Sequence, residues 1–246
     1  MSVELTCLGT GDAFGSVGRH CAGYLVDTPG AHLLLDAGPS ILSAMKARQR
    51  STAEIDAVVV SHLHGDHFGG IPFLFLEYRW EAPRTRPLII AGPPETEARV
   101  FELKDALYRE ARGEALPFPL EFIELGDGGA CEIADVRLES FRVPHQQKAL
   151  SLGHRLRTGG RTLVYSGDTA WTGDILRSSS GADLFLCECS TFRTPHPTHV
   201  SYAEIEANRA SFDCGSLLLT HLGREVRERK GEIPEQLADD GLVIRI

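Results

Sequence analysis

Nowhere do the 246 residues string together the roughly 18 apolar positions that a membrane-crossing helix requires, so no membrane span is expected. The opening stretch MSVELTCLGTGDAFG lacks a basic segment followed by an apolar run of signal-peptide length, which points to a cytoplasmic protein. Cysteine is sparse. Cys7, Cys21, Cys131, Cys187, Cys189 and Cys214 are spread without a dense framework, and buried reduced thiols are expected rather than disulfides or a zinc ribbon. Positive charge is also short, with 25 Lys and Arg against 34 Asp and Glu. The resulting net charge of -9 argues against a surface that wraps extended nucleic acid, because phosphate neutralisation supplies most of such affinity. No linker, low-complexity tract or short repeat divides the chain, and 42% hydrophobic residues suffice for one core, so residues 1–246 read as a single domain.

What is present is a mixed α/β pattern. The runs VELTCLG, GYLVDT and HLLLDAG read as opening strands, and SILSAMKARQR as a helix with Ser40 as its N-cap. IDAVVV suits a strand buried on both faces. PLIIAG, LEFIEL, VRLESFRV, LGHRLRT and RTLVYSGD read as further strands, with TGG as a hairpin turn and ETEARVFELKDALYREA as an amphipathic helix. The last third alternates ADLFLCECS, SYAEIEANRASF, SLLLTHLG, REVRERK and GLVIRI as strand, helix, strand, helix and strand. Two sheets with outer helices, a four-layer αββα sandwich, accommodate this order.

Directly after IDAVVV comes SHLHGDHFGG, in which His62, His64, Asp66 and His67 form the pattern H-x-H-x-D-H. Imidazole and carboxylate are ligands for zinc and similar divalent ions, and the spacing sends His62 and His64 one way while Asp66 and His67 turn toward a second position. Four such groups at the mouth of a buried strand would be costly without partners.

On these residues the chain resembles the metallo-β-lactamase superfamily, and SHLHGDHFGGIPFLF is more similar to its ribonuclease Z and cyclic-nucleotide phosphodiesterase branch than to the β-lactamases. LGTGDAFG resembles the opening strand and turn of that branch, and LLLDAG its Asp-Gly strand end, with Asp36 structural. VPHQQKALSLGHRL supplies His145, VYSGDT supplies Asp168 and LLLTHLG supplies His221. The resemblance implies one metal site of His62, His64, His145 and Asp168, and a second of Asp66, His67, His221 and a bridging Asp168. It implies two divalent ions, Zn2+ first, with Mn2+ or Fe2+ also fitting the donors, and a shared hydroxide that attacks the substrate. Asp66 could also take a proton from that water. CECSTFRTPHPTHVSY resembles the segment that carries a non-ligand histidine, here His199, oriented by an acid on the preceding strand, here Glu188. The implied role of His199 is protonation of the leaving oxygen. His20, His32, His154 and His196 match no ligand position and read as surface or satisfied core residues.

The function expected is dinuclear hydrolysis of a small or cyclic phosphodiester. Two alternatives are a ribonuclease Z-like transfer-RNA 3' processing endonuclease and a lactone or ester hydrolase of the same fold. A non-catalytic binding scaffold is the remaining class, against which the complete ligand set argues. The resemblance implies that members with the endonuclease activity typically carry a long flexible arm between the third histidine and the bridging aspartate, and only 22 residues separate His145 from Asp168 here. The resemblance also implies a homodimer.

Overall fold

The computed structural model describes residues 3–246. The first half of the chain gives strands β1 (Glu4–Gly9), β2 (Gly23–Asp27), β3 (His32–Leu35), β4 (Ala57–Val59), β5 (Leu88–Gly92) and β6 (Leu120–Glu124). Between them lie helices α1 (Ile41–Ala47), α2 (Gly65–Phe68), α3 (Ile71–Trp80) and α4 (Thr96–Leu107). The second half gives β7 (Ala130–Ile133), β8 (Val136–Val143), β9 (Ser151–Thr158), β10 (Arg161–Tyr165), β11 (Ala182–Glu188), β12 (Cys214–Thr220), β13 (Gln236–Leu237) and β14 (Val243–Arg245). Its helices are α5 (Gly173–Ser179), α6 (Tyr202–Asn208) and α7 (Arg224–Glu228).

The strands form two seven-stranded sheets, ordered β14-β1-β2-β3-β4-β5-β6 and β13-β12-β11-β10-β9-β8-β7. Their inner faces share one core, in which Leu5, Tyr24, Val26 and Leu35 meet Leu138, Leu156, Leu163 and Leu186. On the outside of the first sheet, Leu34, Val58 and Ile90 pack against Ile41, Leu74, Tyr78 and Val100 of α1, α3 and α4. On the outside of the second, Phe185 and Leu219 pack against Ile175, Tyr202, Ile205 and Val226 of α5, α6 and α7. The result is the αββα sandwich of the metallo-β-lactamase fold.

β4, expected as a strand buried on both faces, is buried at all of its residues and lies parallel between β3 and β5. The TGG turn joins β9 to β10 as expected: Arg161 pairs with Thr158, and Gly159 and Gly160 take φ of 55° and 75°, the left-handed pair a two-residue hairpin requires. All six cysteines are free, with Cys7, Cys187 and Cys189 buried. Ser40 does precede α1, but its side chain makes no cap; its hydroxyl accepts from the Cys21 amide instead. No helix among the described residues is long and apolar enough to cross a membrane.

Strand direction gathers the polar loops at one place. β3 to β5 run parallel, as do β10 to β12, and β8 runs in the direction of β10 because both are antiparallel to β9. Their C-terminal ends therefore open on one edge of the sandwich, the place where α/β sheets gather ligands. Across that edge the sheets are tied by polar contacts, with Tyr24 and Thr220 hydroxyls 2.7 Å apart and His154 Nε2 3.1 Å from the Val60 carbonyl. His154 is thus a satisfied core histidine, its Nδ1 lying 3.0 Å from Ser140 Oγ.

Candidate active site

Every residue expected from the sequence to build the site arrives at this edge. His62, His64, Asp66 and His67 lie in the turn after β4 and in α2; His145 follows β8, Asp168 follows β10, Glu188 ends β11 and His221 follows β12. The turns are tight. Asp36 and His221 adopt φ of 56° and 52°, unusual for side-chain-bearing residues and common at functional sites. A Cβ at Gly167 would lie 2.6 Å from the Leu152 carbonyl oxygen, so only glycine lets the turn before Asp168 pass that strand.

Four overlapping groups of donors result, each with its atoms within 4.8 Å of one another: His62, His64 and His145; Asp66, His67, Asp168 and His221; His145, Asp168 and His199; and Glu188, His199 and His221. Asp168 stands between the first two. Its Oδ2 is 3.3 Å from the Nε2 of both His67 and His221, and 3.9 Å from the Nε2 of His62 and of His145.

Hydrogen bonds behind the cluster assign the imidazole protons. His67 Nδ1 donates to Asp36 Oδ2 at 2.7 Å. His62 Nδ1 lies 3.1 Å from Ser61 Oγ, which itself donates to Asp36 Oδ2, so the hydroxyl accepts from His62. His145 Nδ1 donates to the Thr198 carbonyl at 2.9 Å. His221 Nδ1 lies 3.0 Å from Ser190 Oγ, which donates to Glu188 Oε2. In all four rings Nδ1 faces an outer partner and Nε2 turns inward, the arrangement that metal ligation through Nε2 demands. His62 Nε2, His67 Nε2 and Asp168 Oδ1 are buried without any hydrogen-bond partner. Such orphans are costly in an apolar interior and are satisfied by a cation. The donor set therefore fits a divalent metal site.

The electrostatics agree. Burial, reinforced by the neighbouring imidazoles, pushes His62 and His64 below the usual histidine range; burial also lowers His145 despite the opposing Asp168 charge. These rings are neutral and can offer lone pairs. Burial acts on His67 and His221 in the same sense, yet the Asp168 carboxylate, with Asp36 on one and Asp66 on the other, outweighs it; His67 lies well above its usual range and His221 at about 9. Burial raises Asp66 and Asp168, and the facing histidines more than offset this, so both carboxyls are held below their usual range. The field that draws protons to His67 and His221 is one that a cation satisfies equally well.

His199 stands beside the cluster on the wall of a cavity of about 510 Å³ that also exposes His64, Asp66, Asp168 and His221. Its Nδ1 is 2.9 Å from Glu188 Oε1 and 3.3 Å from Ser190 Oγ. Burial would lower its pKa, but the Glu188 hydrogen bond and charge raise it above the usual value. Glu188 is fully buried and also accepts from the Thr169 amide at 2.7 Å, which fixes the turn carrying Asp168. The segment HVSY has a local reason: Ser201 is the N-cap of α6 in a capping box with Glu204, which places His199 two residues before that cap.

Two residues central to this arrangement, Ser61 and Ser190, carry no signature in the sequence, whereas Asp36 is expected there as structural. Ser61 and Ser190 act as hydroxyl relays, each joining one ring to a buried carboxylate, and Asp36 serves His62 and His67 together. The dipeptide Ser61-His62 and the position of Ser190 two residues after Glu188 are the only traces of them. His196, which matches no ligand position, nonetheless lies on the cavity wall with its ring centroid 4.9 Å from that of His199. His20 and His32 are spent elsewhere, on the Leu8 carbonyl and on Asp27.

Known proteins support this frame. An uncharacterised protein of Mycobacterium leprae (strain TN) is 30% identical over 230 residues, covering 90% of this chain and 78% of its own. A ribonuclease Z of Mycobacterium marinum (strain ATCC BAA-535 / M) is 28% identical over 240 residues, 89% of this chain and 86% of its own. The crystal structure of the metallo-β-lactamase fold protein YhfI from Bacillus subtilis superposes with a TM-score of 0.79 at 21% identity over 99% of both chains. Residues 3–236 match the family described as anti-Pycsar protein Apyc1, and the chain belongs to that family.

Proposed function

We propose that the protein is a metal-dependent phosphodiesterase that binds two divalent ions and hydrolyses a small or cyclic phosphodiester. The observation that carries this reading is the placement of His199: a ring tied to a buried carboxylate, on the cavity wall, 3.9 Å from the oxygen of Asp168 around which the other donors converge. His62, His64, His145 and Asp168 would hold one ion, and Asp66, His67, His221 and Asp168 the other.

Bound ions would lower the pKa of a shared water and neutralise charge on the phosphoryl oxygens. The chain's own residues supply the rest. The Asp36 and Glu188 relays and the Thr198 carbonyl hold four imidazoles in one tautomer before substrate arrives, so no reorganisation is needed during reaction. Asp66 is held ionised by the facing histidines, which leaves its carboxylate a ligand oxygen and only a weak acceptor for a proton released in the cavity. His199, with Nδ1–H anchored on Glu188, presents Nε2 to the open side, where no protein atom among the described residues accepts from it. In its protonated form it passes that proton to the departing alkoxide as one phosphorus–oxygen bond breaks, while a water oxygen bonds to phosphorus and loses its proton to solvent, and the products are a phosphomonoester and an alcohol.

The ribonuclease Z relative keeps RNA cleavage as a competing reading. Against it stand the net charge of -9 and the direct passage from His145 to Asp168 through the β9–β10 hairpin, which leaves no arm to dock a folded RNA. The test is a hydrolysis panel on purified protein with bound metal quantified: bis-p-nitrophenyl phosphate, cyclic nucleotides, lactones and precursor transfer RNA. Turnover of the diesters at two ions per chain supports the proposal. Exclusive turnover of lactones, or efficient site-specific cleavage of precursor transfer RNA at physiological salt, overturns it.

A further inference from the structure

Among the donors of the cluster, His221 alone has a left-handed backbone, with a φ of 52° that a side-chain-bearing residue keeps only where its surroundings over-determine it. The Ser190 hydroxyl reaches the His221 ring at 3.0 Å and the His221 carbonyl at 3.3 Å, but it does not hold the residue that follows. That side is held by residues with no part in the cluster. Leu222 N donates to the Thr10 carbonyl at 3.0 Å, and Gly11 and Leu222 form a parallel bridge, so the turn after β1 is sewn to the neighbour of His221.

Thr10 is fully buried and is gripped from two sides. Its amide and its hydroxyl both donate to Asp240 Oδ1, at 3.0 and 2.7 Å, across 230 residues of chain. Arg227 Nη2 donates to the same hydroxyl at 2.6 Å and to the Thr10 carbonyl at 3.2 Å, so the carbonyl that receives Leu222 also receives a guanidinium N–H. Asp240 Oδ2 accepts from the His20 amide at 2.9 Å, which closes the far end of the loop, and Arg227 Nη1 donates to the Ala238 carbonyl at 2.9 Å. The Arg227 and Asp240 side chains are only 9% and 10% exposed. Two charges drawn out of water and matched through one hydroxyl form a stiff link, because losing either leaves the other uncompensated. No hydrogen bond of this network among the described residues reaches His62, His64, His145 or Asp168.

We propose that Thr10, Arg227 and Asp240 are positioning residues for His221: through Leu222 they fix the backbone that aims its Nε2, and so set the affinity of the second metal site separately from the first. This rests on the reading of the cluster as a two-ion centre. It makes α7 and the turn before β14 part of the frame of that centre, although neither supplies a donor to it.

The experiment titrates chelator-stripped protein with Zn2+ by calorimetry and records a denaturation midpoint for each variant. Two binding steps are expected in the parent, and the step that His221→Ala abolishes marks the second site. Thr10→Val removes the hydroxyl that joins Arg227 to Asp240 while nearly conserving volume; it is expected to weaken the marked step about 10- to 100-fold and leave the other unchanged. Thr10→Ser keeps the hydroxyl and loses the methyl, so it should restore the step while lowering the midpoint. Asp240→Asn, which keeps one acceptor oxygen, should weaken the same step by a smaller factor. Equal weakening of both steps, or ion affinity that follows the midpoint across the variants, overturns the positioning role. So does a marked step unchanged in both Thr10→Val and Asp240→Asn, and in each of these cases the two-ion reading stands. A parent that binds a single ion, with no step sensitive to His221→Ala, overturns the two-ion reading and this inference with it.

Discussion

Asp36 Oδ2 accepts the Nδ1 proton of His67 at 2.7 Å, and the same oxygen accepts from Ser61 Oγ at 2.8 Å and Tyr165 Oη at 2.7 Å. One fully buried carboxylate therefore orients His67 directly and His62 through Ser61, and is tied to the second sheet by Tyr165. Asp36→Asn keeps the shape and removes the charge. It is expected to cost about 10- to 100-fold in metal affinity, the usual effect of losing a residue that orients a ligand. Competition against a chelator of known affinity measures this, and unchanged affinity would show that His67 needs no anionic partner.

Asp168→Ala is expected to lose both ions and nearly all activity together, because one carboxylate faces both donor groups and offsets the repulsion between two cations. Elemental analysis of the purified variant decides it. Retention of two ions would place the bridge elsewhere. The same variant should no longer gain thermal stability when metal is added, since the stabilisation of the native chain arises from selective binding to the folded state.

For His199→Ala the expected pattern is intact metal content with a loss of roughly 10² to 10⁴ in rate on a substrate with an alkyl leaving group. Hydrolysis of a p-nitrophenyl diester, whose leaving group needs little protonation, should suffer much less. Glu188→Gln should show a milder form of the same contrast. Equal losses on both substrates would mean that His199 is structural, and metal depletion would mean that it is a ligand.

Far from the cluster, Asp27 receives a two-pronged hydrogen bond from Arg50 at 2.8 and 2.9 Å and also contacts His32. Burial raises its pKa, but Arg50 and His32 outweigh burial and hold the carboxyl below its ordinary 3.8. The folded value lies below the unfolded one, so this contribution to stability is fully present above about pH 4 and is lost as the pH falls through the folded value. Asp27→Asn should therefore lower the denaturation midpoint at neutral pH and shrink the difference between variant and parent in acid. Parallel acid-unfolding curves for the two would discount the pair.

The cluster was legible in the sequence because it is built from short local patterns. H-x-H-x-D-H places four donors in one turn, and His145, Asp168 and His221 each end an apolar run. The relays were not legible, since Ser61 and Ser190 acquire meaning only when folding sets them between an imidazole and a carboxylate from different strands. α3 gave no signal for another reason. Six of its ten residues are buried, on more than one face, so IPFLFLEYRW lacks the polar stripe that marks an amphipathic helix.

The pairing of β1 with β14 joins residues at opposite ends of the chain, with Glu4 opposite Arg245. His221 likewise arrives long after His62 has been made. During synthesis the first sheet therefore waits with an open edge, and the four donors after β4 are displayed without their counterparts from the second sheet. The two proposed metal sites would be complete only once residues as late as Asp168 and His221 have been made. Ion capture at them would follow strand order: an ion would be enclosed only by a molecule that is nearly whole, and an unfinished chain would offer it no closed site in which to remain.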